Sequence, residues 1–214
     1  SRLEHIKATE NTLATRSTMA FWLNPGEKSS GRLALNTTAL SNHRVEKQVT
    51  IGMPGLPHAI DYRVNFHVPS GEHHAMGQFE ALTGYMPQEF SRFLSWNPVT
   101  GETAPLDDGP GEQSLPVIFT VPGETHAMGI FTKDEPNAPE GSPKVDTPTY
   151  GRFRFQAERV VKWNCVFRVR DARGIPAGHY SLRMFVVVGN LATVREALVS
   201  LSQKDLKKSR PSGN

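Results

Sequence analysis

Apolar and polar residues alternate along several stretches of this chain, and only near its C-terminus does the apolar spacing become helical. In Ile60–Val68, Tyr62, Val64, Phe66 and Val68 face one way, and Asp61, Arg63, Asn65 and His67 the other. Successive strand residues point to opposite faces of a sheet, so this pattern predicts a strand with one buried and one solvated side. Val161–Val169 repeats it, with Val161, Trp163, Cys165, Phe167 and Val169 apolar and Lys162, Asn164 and Arg168 on a mostly polar face. Tyr180–Val188 follows a Gly-Ile-Pro-Ala-Gly turn, which predicts that these last two strands form a long antiparallel hairpin. Shorter strands are expected at Thr18–Leu23, Arg32–Asn36, Lys47–Ile51, Phe90–Trp96 and Leu115–Val121. The period then changes. Leu191, Val194, Leu198 and Leu201 recur at helical spacing, and Asn190 is positioned to cap a helix over about 190–203.

The 18 glycines and 16 prolines punctuate these segments throughout, the texture of an all-β protein. The expected fold is a single antiparallel β-sandwich domain over 1–203, supersandwich-like, with one C-terminal helix and a flexible basic tail at 204–214. Long loops are expected at Pro105–Gln113 and Lys133–Pro148. Two stretches echo each other: Val68-Pro69-Ser70-Gly71-Glu72-His73-His74-Ala75-Met76-Gly77-Gln78-Phe79 and Val121-Pro122-Gly123-Glu124-Thr125-His126-Ala127-Met128-Gly129-Ile130-Phe131. Read as an internal repeat, they predict two equivalent turns related by pseudo-symmetry, with His74 and His126 in matching places. Their small Ala and Gly residues leave room for a close approach by another sheet or a ligand.

Composition excludes more than it identifies. At 214 residues the chain can bury a core without staples, and its single cysteine, Cys165, permits no intrachain disulfide. The cysteine count leaves the compartment open, with a periplasmic or secreted setting slightly favoured over the cytoplasm. The net charge of +3 is small and the basic residues are scattered, which argues against nucleic acid as a partner. No apolar run nears the roughly 20 residues of a membrane span, so no membrane partner is expected. Phosphate loops, dinucleotide fingerprints and the G-x-S-x-G elbow are absent, and no cofactor is expected. Asn36-Thr37-Thr38 matches the short N-glycosylation pattern.

Candidate chemistry rests on a few residues. His74 and His126 either cap turns or line a shared cleft. Glu80, set among apolar neighbours, is expected to be buried, with a raised pKa suited to proton transfer. Tyr85, beside Gly84 and Pro87, either packs over its turn or offers an aromatic platform to a sugar ring. Asn164, Arg168 and Arg152 are read on polar strand faces, where guanidinium groups can bind carboxylated or hydroxylated ligands. Glu112-Gln113 is a weaker candidate. A metal site would draw on His73, His74 and His126, with His67 near in sequence. Neighbouring strand residues face opposite ways, however, and no H-x-H or H-x-x-x-H spacing is present, so no metal is expected. Cys165 is expected to be buried and inert.

The order of short strands, histidine-bearing turns and polar strand faces over Thr18–Gly189 resembles bacterial carbohydrate-active β-sandwiches, broadly the galactose-mutarotase-like supersandwich group. The resemblance implies a carbohydrate ligand on a sheet face, a histidine acid (His74 or His126) and a carboxylate base (Glu80). The chain looks shorter than complete members, as a reduced or truncated version would be. Three functions stay open: a sugar-recognising or sugar-processing sandwich, a non-catalytic accessory module, and a metal-dependent enzyme with histidine ligands. The oligomeric state is open as well.

Overall fold

A computed structural model describes residues 1–133 and 135–203, so the expected basic tail lies outside the described residues. Along the chain run β1 (Arg2–Ala8), β2 (Thr12–Ala20), β3 (Lys28–Ser29), β4 (Arg32–Leu33), β5 (Leu40–Met53), β6 (Leu56–Val68), β7 (Met76–Pro87) and β8 (Arg92–Trp96). They are followed by β9 (Thr103–Leu106), β10 (Gly111–Gln113), β11 (Val117–Thr120), β12 (Ala127–Phe131), β13 (Thr149–Phe155), β14 (Val160–Arg170), β15 (Gly178–Gly189) and α1 (Leu191–Gln203). Nine strands form one sheet in the order β1-β2-β5-β6-β15-β12-β11-β8-β9, and four form a second, β10-β13-β14-β7. All pairings are antiparallel and neither sheet closes into a barrel, so the chain is the all-β sandwich its alternation predicts. The helix is too short to cross a membrane, and no described helix is long and apolar enough to do so.

The core between the sheets is built from the apolar faces read in the sequence. Val161, Trp163, Cys165, Phe167 and Val169 of β14 all lie in it, facing Val64 and Val68 of β6 and Tyr180, Leu182 and Met184 of β15. The other face of the large sheet is apolar too at its centre. There Ile118, Phe131, Phe185 and Val187 meet Leu191, Val194, Leu198 and Leu201 of α1. Asn190 caps that helix as expected: its Oδ1 accepts from the Thr193 N–H at 2.8 Å. The close approach offered by the second echo is taken up here, since a Cβ on Gly129 would stand 3.0 Å from both Leu198 Cδ1 and Val194 Cγ1.

Three expectations fail. β14 and β15 do not form a hairpin: β14 pairs with β13 and β7, β15 with β6 and β12, and residues 171–177 carry the chain from one sheet to the other. Both strands are amphipathic and share one core, so they satisfy the same pattern from opposite sides of it. Nor are the two echoes equivalent. The first leads from β6 in the large sheet to β7 in the small one, whereas the second is the tight β11–β12 connection within the large sheet. Their turns differ accordingly, with Gly71 at φ +85° in the first and Glu124 at φ +58° in the second. Finally, the expected strand at Thr18–Leu23 lies earlier, as β2, and pairs with an edge strand β1 whose seven residues are all exposed.

Trp163 packs where β7 lacks a side chain. Gly84 of β7 lies opposite Trp163, and a Cβ there would fall 2.3 Å from the indole Cε2. Gly84→Ala should therefore cost about 1–3 kcal/mol through overpacking, read as a lower urea midpoint at unchanged slope. An unchanged midpoint would show that Trp163 does not lie across Gly84.

Candidate functional site

The outer face of the four-stranded sheet gathers most of the candidate residues. Across β13, β14 and β7 the paired rows are Phe153, Lys162 and Tyr85, then Gly151, Asn164 and Thr83, then Thr149, Val166 and Glu80, with Arg168 opposite Gln78 beyond them. Glu80 and Tyr85 differ in strand parity, and a bulge brings them to one face. The register shifts between Cys165 and Val166, leaving Ala81 without a partner on β14. Thr83 Oγ1 then donates to Glu80 Oε2 at 3.3 Å, and Lys162 Nζ stands 3.5 Å from the same oxygen.

Aromatic and polar groups alternate on this face. Tyr85 is 66% exposed, and Phe155 and Phe153 stack in parallel, 6.2 Å apart. The Lys162 ammonium bridges the aromatic residues, 5.8 Å from the Tyr85 ring centre and 5.2 Å from that of Phe153. Arg168 donates to Gln78 Oε1 at 3.0 Å and to both Glu112 oxygens, at 2.6 and 3.2 Å. That guanidinium holds Glu112 below the usual carboxylate range, against partial burial and with help from the Thr149 hydroxyl. Asn164 is buried and serves the sheet itself, its Oδ1 accepting from the Gly151 N–H.

Other candidates fall elsewhere. Glu80 is exposed beside Lys162, so the buried environment expected of it is absent. Arg152 is not on the polar face, because it shares the parity of Tyr150 and pairs with Trp163. It is only 8% exposed, and it anchors the loop after β9, donating to Asp107 O, Asp107 Oδ1 and Gln113 Oε1. Arg154 holds the next residue, Asp108, at 2.8 Å while lying over the Phe93 ring. Cys165 is fully buried, and burial pushes its thiol up, so it offers no nucleophile.

The two matched histidines do not meet. His74 O accepts from Ile175 N just before β15 begins, whereas Ala127, next to His126, pairs with Gly189 at the end of β15. A twelve-residue strand separates them, on the order of 35 Å at its usual rise. His126 is exposed, its Nδ1 3.0 Å from Thr125 Oγ1. His74 belongs to a different group that includes two residues not singled out in the sequence, His43 and Glu72. Glu72 Oε2 lies 2.8 Å from His74 Nε2 and 3.6 Å from His43 Nε2. Burial, only partly opposed by the Glu72 carboxylate, holds His43 below the usual imidazole value, and His74 and His67 act in the same direction as burial. His73 points away, since a Cβ on Gly174 would lie 2.8 Å from its Nδ1.

On the far face of the large sheet the polar side of β6 forms a ladder with its neighbours. Asp61 accepts from Arg183 Nε and Nη2 at 2.8 and 2.7 Å and from Arg63 Nη2 at 3.2 Å. Glu46 pairs with Arg16 at 2.6 Å and accepts from Asn65, whose Nδ2 also lies 2.9 Å from His179 Nδ1.

No protein-family model matches this chain, and no curated protein matches it. Among solved structures, the crystal structure of HI1317 is similar over 87% of this chain and 64% of that one, at 7% identity and a TM-score of 0.37. The chain thus spans less than two thirds of HI1317, and a likeness at that level carries neither fold nor activity across.

The Asp61 ladder sets a pH dependence. Burial pushes the Asp61 carboxyl up, but the hydrogen bonds and charges of Arg183 and Arg63 outweigh it, and the net shift is downward. A carboxyl whose folded value is depressed contributes stability that is present above its unfolded value, near 4, and is lost as the pH falls through the folded value. Asp61→Asn should lower stability at pH 7 by on the order of 2 kcal/mol and flatten the acid limb of the stability curve. Parallel curves for the two proteins below pH 4 would contradict this.

Proposed function

We propose that this protein recognises carbohydrate on the outer face of its four-stranded sheet and does not carry out acid–base chemistry on it. The observation that supports the reading most is Tyr85, two-thirds exposed on this sheet face beside Lys162, with Glu80 and Thr83 on the same face. A sugar ring presents an apolar C–H face to an aromatic platform and hydroxyl groups at its rim. Tyrosine offers such a face together with a polar tip. Glu80, Thr83 and Lys162 supply acceptors and donors at the level of that platform, and the Glu112–Arg168–Gln78 network fixes its border.

Recognition is favoured over turnover because the strands of this sheet carry no histidine, and Glu80 is exposed and paired with a lysine. The acid and base implied by the galactose-mutarotase-like resemblance have no shared cleft here, since His74 and His126 stand at opposite ends of β15. Of the sugar-recognising and sugar-processing forms of the carbohydrate reading, this separation supports the first.

A glycan array followed by calorimetry tests it. Wild-type protein should bind at least one neutral or uronic-acid oligosaccharide, Tyr85→Ala should weaken binding at least tenfold (about 1.4 kcal/mol), and His126→Ala should leave it unchanged. Absence of any glycan ligand, or binding indifferent to Tyr85→Ala, would end the proposal.

A further inference from the structure

We infer that His43, Glu72 and His74 form a binding site for a divalent transition-metal ion of the zinc class, at the end of the sandwich where β5 and the β6–β7 connection meet. The site is independent of the carbohydrate face. Its origin is the register of the large sheet. Arg44 pairs with His67 and Val45 with Phe66, so His43 extends beside the end of β6. From Val68 the chain turns through Gly71, at φ +85°, and comes back past β5. That return lays the Glu72 carboxylate between the imidazoles of His43 and His74.

The three ligand atoms all lie within 4.8 Å of one another. Glu72 Oε2 stands 2.8 Å from His74 Nε2 and 3.6 Å from His43 Nε2, and the two rings are 5.5 Å apart and inclined at 59°. An ion with bonds of about 2.0–2.1 Å in tetrahedral geometry sets its ligand atoms roughly 3.3 Å apart. The two spacings to Glu72 bracket that value, and the two imidazole nitrogens, within 4.8 Å of each other, need to close by at most about 1.5 Å to share the ion. Both histidines present Nε2 and leave Nδ1 for outer partners, the usual arrangement at metal-binding imidazoles. All three side chains are about one-third exposed, at 27%, 31% and 37%, so an ion can enter and a water can take the fourth position. Two imidazoles and one carboxylate with an open position suit zinc and cobalt better than calcium or magnesium, which prefer oxygen ligands.

The test uses tag-free full-length protein stripped with chelator, then titrated with Zn²⁺ by calorimetry and with Co²⁺ by visible absorption. One equivalent should bind, with the Co²⁺ bands of a four-coordinate site, and the melting temperature should rise with Zn²⁺. Glu72→Gln and His43→Ala should each lower affinity by more than the roughly 10–100-fold that loss of an outer-shell partner costs. His126→Ala, at the other end of β15, should bind as wild type does, and circular dichroism checks that every variant is folded. Failure to bind at millimolar Zn²⁺, or binding unaffected in folded Glu72→Gln and His43→Ala, overturns the inference. So does binding lost equally in His126→Ala.

Discussion

The centre of the large sheet is apolar on both faces, and most of the architecture follows from covering it twice. Val117–Thr120 and Met184–Val187 are buried at every position, and Ala127–Phe131 at every position but Met128. A strand buried on both sides reads as a continuous apolar run, and its sheet needs a layer on each face. The four-stranded sheet supplies one layer and α1 the other. Phe93 stacked on Phe119 at 4.1 Å belongs to the first, and Trp96 meeting Phe131 edge-on at 5.3 Å belongs to the second. Gly129 matters because it lets the helix close onto the sheet there.

This double covering decides which surfaces remain for ligands. The inner face of the small sheet is committed to the core, and Arg152 and Arg154 at its border are committed to the Asp107–Asp108 loop. Tyr85, Phe153, Phe155 and Lys162 are concentrated on its outer face, where Tyr85 is the most exposed aromatic side chain. The large sheet is wider than its partner, so β1, β2 and β5 extend past the small sheet with Leu3, Ile6, Leu13 and Ile51 exposed. The same extension carries His43 to the sandwich end, within reach of Glu72.

Alternation revealed the strands because a half-buried strand must place its apolar side chains at every second position, as β6 and β14 do. Asn190 and the Leu191–Leu201 spacing marked the helix for the equivalent reason. Pairing is another matter, since strand pattern says which face is buried and not which neighbour shares the sheet. Hence β14 and β15 looked like a hairpin although they lie across the core from each other. The same limit hid the His43 cluster, which depends on the β5–β6 register. Glu72-x-His74 was visible in the sequence but does not match a His–His spacing. Arg152 was misplaced by parity, as one residue's shift on β13 separates a solvated guanidinium from a buried one tied to Asp107 and Gln113. Glu80 and Tyr85 came to one face only through the Ala81 bulge.

The central claim is that the small sheet's outer face is the ligand-binding surface. The most direct measurement is a nuclear magnetic resonance footprint, following backbone amides of labelled protein during titration with an oligosaccharide that binds it. The account predicts shifts concentrated at Thr83–Tyr85, Phe153–Phe155 and Lys162–Arg168, with the Asp61–Arg183 face and the His126 turn unmoved. A footprint on β5, β6 and β15 instead, with the Tyr85 region silent, would contradict it.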